Sequence, residues 1–65
     1  MNIKDNRRVS MTKKIIKDTF IEMLEKKNIQ KIYVRELCET ADINRSTFYK
    51  YYESQYDLLA EMEND

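Results

Sequence analysis

The sequence contains no glycine and no proline among its 65 residues. Glycine supplies the positive φ angles and the close backbone approach that phosphate-binding loops, dinucleotide-binding turns and β-hairpins need. Without either residue, short turns between helices are the connections that the chain can best form. The sequence therefore predicts an all-α fold.

The length and the residue types exclude several classes of site. A chain this short is one domain, and it buries only about 60% of the surface that its unfolded form exposes. Cys38 is the single cysteine and histidine is absent, which excludes a disulfide, a Cys/His metal site and Ser-His-Asp or Cys-His catalysis. No segment has the apolar length of a membrane span or a signal peptide. We expect a soluble, cytoplasmic protein that is not an enzyme and has no cofactor, metal or small-molecule site.

The net charge is zero, but the charges are unevenly distributed. Residues 1–50 contain all twelve basic residues and seven acids, a net charge of +5, whereas residues 51–65 contain five acids and no base. This distribution fits a basic body that binds nucleic acid, followed by an acidic tail. It fits ordinary solvated helix faces equally well, so charge alone leaves both interpretations open.

The apolar spacing predicts a first helix after a polar segment. Residues 1–9 show no periodicity and are expected to form a flexible arm ahead of a domain over residues 10–65. Either Ser10 or Thr12 could cap the first helix. Asn28 is expected to end it by taking the left-handed position that glycine usually fills. The apolar stripe of this helix consists of Ile16, Phe20, Met23 and Leu24.

A second and a third helix follow, separated by a tight turn. The second covers about residues 34–40. Its inward-facing residues are Leu37, Cys38 and the following Ala41. Asp42 tolerates the left-handed conformation in the turn, and Asn44 is a good N-cap for the third helix. That helix is predicted to run to about Tyr52, with Phe48 and Tyr52 buried at i and i+4.

A fourth helix is predicted to start near Gln55. Ser54 and Asp57 have the spacing of a capping box ahead of two leucines. The fold prediction is thus a three-helix helix-turn-helix domain with the start of a fourth helix.

Residues 34–52 match the helix-turn-helix motif, in which the second helix enters the DNA major groove. The candidate reading helix opens with Asn44, Arg45, Ser46 and Thr47. Arg45 can pair bidentately with guanine, and Thr47 can place its methyl group against thymine. Three later side chains can reach phosphates and so fix position rather than sequence. They are Tyr49, Lys50 and Tyr51.

A different class of function remains open at this point. The five tyrosines could be amphipathic packing residues with hydroxyls that reach water. The alternative is therefore a helical protein-interaction module without DNA binding. Against it, residues 45–52 contain no acid, although about a fifth of the chain is acidic.

The run IYVRELCETADINRSTFYKYY at residues 32–52, continued by ESQYDLL, resembles the DNA-binding domain of TetR-family transcriptional repressors. The resemblance covers about residues 11–60. It implies sequence-specific binding to double-stranded DNA, with contacts from the reading helix, from Arg35 on the second helix, and from Ser54 and Gln55 at the start of the fourth. Arg7 and Arg8 in the arm could lie along the DNA or in its minor groove.

The sequence departs from the family pattern at three positions and in length. Gln55 stands where the family has a phosphate-binding lysine, Asp42 where it has a turn glycine, and Tyr33 where it has a threonine cap. The family's C-terminal domain, which dimerises and binds an inducer, is absent from these residues. The resemblance implies a homodimer on a pseudo-palindromic operator for a full-length protein, and a weakly binding monomer for this chain alone.

Overall fold

A computed structural model describes residues 3–64 of the chain, with side chains from Arg8 to Asn64. This part is all helical, as the composition predicts. The helices are α1 (Ile3–Leu24), α2 (Val34–Ala41), α3 (Arg45–Tyr49) and α4 (Gln55–Glu63), with a 3-10 turn at Ile29–Lys31 between α1 and α2. No described helix is both long enough and apolar enough to cross a membrane.

One apolar core holds the helices together. Its buried members are Ile16, Phe20, Met23, Ile32, Val34, Leu37, Cys38, Phe48, Tyr52 and Leu58. The predicted inward positions are confirmed, except that Leu24 and Ala41 are only partly buried. Among the described side chains, none of the buried residues is charged. Helix burial here follows the apolar periodicity directly, because a chain of this size has only one interior to fill.

The start of α1 was predicted wrongly. The helix begins at Ile3, not after Ser10, so it includes most of the segment that was expected to be an arm. The first core residue of α1 is Ile16, so the apolar stripe that marks the helix in the sequence starts well after Ile3. Residues 3–9 contain no helix breaker, and a helix that has already nucleated gains one hydrogen bond per added residue. The side chain of Arg7 and residues 1–2 lie outside the described part of the chain.

The end of α1 also differs from the expectation. The helix ends at Leu24, and Asn28 has φ −70° and ψ 152°, which is extended backbone rather than the left-handed region. The amide of Lys27 donates to the Met23 carbonyl over 2.8 Å, which closes the last turn without a residue of positive φ. Asn28 instead precedes the 3-10 turn, and that turn brings Ile32 into the core.

The turn between α2 and α3 contains the predicted left-handed residue, and Asn44 takes the N-cap position of α3, although its side chain makes no capping hydrogen bond. Asp42 has φ 60° and ψ 47°, and it is the one residue of positive φ in the described chain. The Ile43 amide donates to the Cys38 carbonyl over 3.0 Å, and the Asp42 amide donates to the Cys38 and Glu39 carbonyls, so the last carbonyls of α2 are paired within the turn.

The third helix is shorter than predicted. It ends at Tyr49, and residues 50–51 form a turn in which the Lys50 amide donates to the Thr47 carbonyl. Tyr52 is buried nevertheless, and its ring centroid lies 5.5 Å from that of Phe48. The i, i+4 spacing that predicted burial is preserved because the Tyr52 amide still donates to the Phe48 carbonyl over 3.0 Å.

Helix α4 is fixed at its first residues and near its end. At its start, Ser54 Oγ accepts the Asp57 amide over 3.3 Å and Asp57 Oδ2 accepts the Glu53 amide over 2.9 Å, which confirms the predicted cap. Gln55 Nε2 donates to the Ile32 carbonyl over 2.8 Å. The bond from Gln55 ties the start of α4 to the segment that leads into α2.

A polar cluster around Glu61 joins α4 to α1. The Tyr52 hydroxyl donates to Glu61 Oε2 over 2.5 Å. Lys13 Nζ lies 3.2 Å from Glu61 Oε1, and Lys17 Nζ lies 3.7 Å from Oε2. The hydrogen bond from Tyr52, followed by those two lysines, lowers the pKa of Glu61 although partial burial opposes the change. The sequence alone had suggested a separate acidic tail, yet Glu61 neutralises charge on α1.

We expect stability to depend on the ionisation of Glu61. Because its pKa is lowered on folding, its contribution is fully present above its ordinary value of 4.5 and is lost as the pH falls through the folded-state pKa. Replacing Glu61 by Gln should lower the free energy of unfolding at pH 7 by on the order of 1 kcal/mol. It should also flatten the loss of stability below pH ~4.5, as measured by thermal melts across a pH series.

Glu63→Gln is the matched control for that series, because Glu63 is exposed and makes no ion pair with the described residues. It should leave both the melting temperature and the acid slope close to wild type. Equal acid slopes for Glu61→Gln and wild type would contradict the assignment.

The left-handed turn residue supplies a second stability test. Glycine has no Cβ to clash at φ 60°, so Asp42→Gly should raise the free energy of unfolding by about 0.5–1 kcal/mol. Asp42→Ala removes the same charge but keeps the Cβ, and it should lower stability instead. If chemical denaturation shows both variants shifted in the same direction, charge rather than backbone conformation controls this position.

Candidate nucleic-acid interface

The packing of Phe48 decides which side of α3 faces solvent. Phe48 is fully buried between the other helices, and its edge meets the ring of Tyr49 at a centroid distance of 5.5 Å. The residues that remain exposed on and beside α3 form what we call the α3 face. They are Asn44, Arg45, Ser46, Tyr49 and Lys50.

The α3 face is positively charged. Arg45 and Lys50 are exposed, and neither makes an ion pair with another described residue. Between Arg45 and Tyr52 there is no acidic residue. A guanidinium and an ammonium that have no carboxylate partner keep their full charge and their donors for an external group. The face can therefore accept an anionic ligand with hydrogen-bond acceptors.

Thr47 and Tyr51 are less exposed to solvent than the sequence predicted. Both are half-buried, and Tyr51 packs against the core. Lys13 Nζ from α1 lies 5.9 Å from the centre of the Tyr51 ring and 5.5 Å from that of Tyr52, a cation–π arrangement. The Tyr51 ring therefore contributes to the contact with α1, and only its outer part is available to a ligand.

Arg35 and Arg45 line the same open cleft between α2 and α3, which has a volume of about 370 Å³. Glu39 also lines it, and its Oε1 accepts from Arg35 Nε over 3.2 Å. The structure thus brings the predicted Arg35 next to the start of α3. Glu39 was not among the predicted site residues, although its i, i+4 spacing from Arg35 is a recognised signal for a helix ion pair.

Cys38 forms part of the wall of this cleft. Burial raises the pKa of its thiol, and the positive charge of Arg45 opposes that change only in part. A buried thiol with a raised pKa holds its proton and behaves as a small apolar side chain. Cys38 also belongs to the apolar core, so its contribution is to pack this side of α2 against that core.

Ser54 and Gln55, predicted to approach DNA, both use their side chains within the protein. The hydroxyl of Ser54 caps α4, and the amide of Gln55 binds the Ile32 carbonyl. Sequence reasoning could not foresee the second bond, because it joins residues 23 positions apart. The start of α4 thus holds the segment before α2 in place, and a ligand there would meet backbone N–H groups more readily than these side chains.

Two acids lie close to the predicted site, Glu39 and the exposed Asp42. Together with Cys38 they line neighbouring parts of the same surface. Among the side chains that the structure describes, from Arg8 to Asn64, no group of His, Cys, Asp and Glu has the arrangement needed to hold a metal ion.

Comparison with known proteins supports a regulatory helix-turn-helix. No protein-family model matches the chain, and no solved structure matches it. Over 56 residues the chain is 38% identical to the HTH-type dhaKLM operon transcriptional activator DhaS of Lactococcus lactis subsp. lactis (strain IL1403). The match covers 85% of this chain and 30% of DhaS, so the chain spans less than a third of that relative. This similarity and the α2–turn–α3 geometry support a helix-turn-helix regulator, without indicating the TetR family specifically.

Proposed function

We propose that the chain is the DNA-reading part of a TetR-like transcription regulator and binds double-stranded DNA with sequence specificity. The observation that carries the proposal is the acid-free α3 face, presented by a helix that follows α2 after a turn of three residues. The similarity to a protein named as an HTH-type transcriptional activator supports it. The domain would be residues 10–65, with α1 extending beyond it.

The reading helix would lie in the major groove with its first turn towards the bases. Arg45 is the residue best suited to direct recognition, because it is exposed, unpaired among the described residues and located at the start of α3. Asn44, Ser46 and the outer part of Thr47 would lie beside it. Tyr49, Lys50 and the outer part of Tyr51 would contact the phosphates on either side of the groove.

Regulation would require a longer protein of the kind that the chain resembles. By resemblance, a full-length homodimer would place two reading helices on a pseudo-palindromic operator, and an inducer would change their spacing. The resemblance is to repressors, whereas the curated relative is named an activator. The proposal is therefore for a regulator, and the direction of control would depend on where its operator lies relative to a promoter.

Selection from a random duplex library tests the function and the symmetry together. We expect a covalently tethered dimer of the chain to recover a two-fold symmetric site. Arg45→Ala should cost about 1–3 kcal/mol of discrimination at the base pair that Arg45 reads. Lys50→Ala, the comparison variant, should instead weaken binding to all duplexes similarly. It should also make the slope of log Kd against log salt concentration shallower by roughly one.

Two outcomes would count against the proposal. If the tethered dimer retains no duplex even at low salt, the chain does not bind DNA. If a protein ligand is bound equally well by Arg45→Ala and at all salt concentrations, the chain is a helical interaction module, and the exposed rings of Tyr33, Tyr49 and Tyr56 become its contact residues.

Position 55 offers an independent test of where the DNA lies. If the start of α4 approaches the phosphate backbone, Gln55→Lys adds one ionic contact. The plot of log Kd against log salt concentration should then steepen by about 0.9. Asn64→Lys, which adds the same charge at the opposite end of α4, should leave the slope unchanged. Equal slopes for the two variants would place the start of α4 away from the DNA.

A further inference from the structure

Arg35 and Glu39 lie one turn apart on α2, and their side chains are hydrogen-bonded on the solvent-exposed side of the helix. The bond runs from Arg35 Nε to Glu39 Oε1 over 3.2 Å. Both side chains are exposed, at 78% and 68% of their possible area. We propose that Glu39 is a positioning residue that orients Arg35 for guanine, and that it trades affinity for sequence discrimination. This inference rests on the proposed DNA-binding function.

The geometry of the pair leaves the recognition edge of the arginine available. A guanidinium has five N–H donors in a fixed plane, and the bond to Glu39 uses the donor on Nε. The two terminal amino groups stay open, and they are the groups that can reach guanine O6 and N7 side by side. Because the guanidinium is planar, a bond at Nε restricts the direction in which the terminal groups point.

The Arg35–Glu39 pair lies beside the reading helix, α3. Arg35, Glu39 and Arg45 line one cleft between α2 and α3, and Asn44 closes the cleft at the start of α3. A duplex that docks on the α3 face would therefore cover this cleft. Glu39 would then lie near both the bases and the negatively charged backbone.

The free energy of the pair changes when DNA covers it. In the free protein, two exposed side chains form an ion pair that water and salt screen almost completely. Docking removes water from the cleft and lowers the local dielectric constant, so the attraction between Glu39 and Arg35 increases. At the same time the carboxylate repels phosphates. When a duplex presents a guanine to Arg35, the base contact offsets the repulsion between Glu39 and the phosphates. A duplex without a guanine at that position has no such compensation.

A purely structural explanation makes a different forecast. As an i, i+4 pair on a helix surface, Arg35 and Glu39 would add slightly to the stability of α2 and nothing to recognition. Thermal stability separates the two explanations only weakly, because such pairs contribute so little. The ratio of affinities for two duplexes separates them well, because helix stability acts on both duplexes equally.

The test measures binding of the covalently tethered dimer of the chain to two duplexes at low salt by fluorescence anisotropy. One duplex is a site recovered by selection with wild-type protein, and the other is an alternating dA-dT duplex, which has no guanine. Arg35→Ala should reduce the ratio of the two affinities by about 5- to 100-fold, the range for one bidentate base contact. Glu39→Ala should reduce it by about tenfold while it raises affinity for the dA-dT duplex by about two- to fivefold.

Two further variants separate orientation from charge. Glu39→Gln keeps an oxygen that can accept from Arg35 Nε, so it should raise affinity for the dA-dT duplex as Glu39→Ala does, yet retain more of the discrimination. Glu25→Ala removes an exposed carboxylate in the turn that follows α1, which does not line the cleft, and it should leave the ratio unchanged. In an Arg35→Ala background, Glu39→Ala should have no further effect on the ratio.

The outcomes distinguish this inference from the proposed function. If the wild-type tethered dimer binds neither duplex, the proposed function fails and this inference fails with it. If wild type discriminates between the duplexes but Glu39→Ala changes both affinities by the same factor, the function stands and Glu39 acts through its charge alone, which overturns the positioning role. The positioning role is also overturned if Glu39→Ala lowers the ratio equally with and without Arg35.

Discussion

The rest of the structure depends on the packing of Phe48 and Tyr52 against each other in the core. These two rings anchor a helix of only five residues, which could not persist in water by itself. Their positions also leave Arg45 and Lys50 on the outer side. Tyr52 in turn donates its hydroxyl to Glu61, so the same anchor extends to α4 and, through two lysines, to α1. Packing and charge are thereby arranged around one pair of aromatic residues.

The sequence predicted the core and the turn well because both depend on local rules. Apolar residues at i and i+4 marked the buried faces, and Asp42 was identified as the residue that could adopt positive φ in a chain without glycine. The capping of α4 by Ser54 was likewise visible from residue spacing alone. Each of these features needs information from no more than four neighbouring positions.

The errors arose where distant parts of the chain decide the outcome. The start of α1 was missed because its first core residue is Ile16, so the apolar stripe begins well after the helix does. Asn28 was assigned a left-handed conformation because the 3-10 turn that follows it leaves no clear sequence signal. The bond from Gln55 to Ile32 and the cluster around Glu61 connect separate elements. Of the predicted interface, Arg45 and Arg35 are placed openly, whereas Tyr51, Ser54 and Gln55 are partly or wholly used inside the protein.

The absence of glycine from the α2–α3 connection has a consequence for how tightly the α3 face can bind a duplex. A glycine at position 42 would reach φ 60° without a Cβ clash but could also move from there to many other backbone angles, whereas Asp42 in the folded turn has only the small left-handed region available at positive φ. The angle between the two helices is therefore set when the protein folds, before any encounter. A surface prepared in this way loses little further freedom on docking, so more of its contact energy remains as affinity.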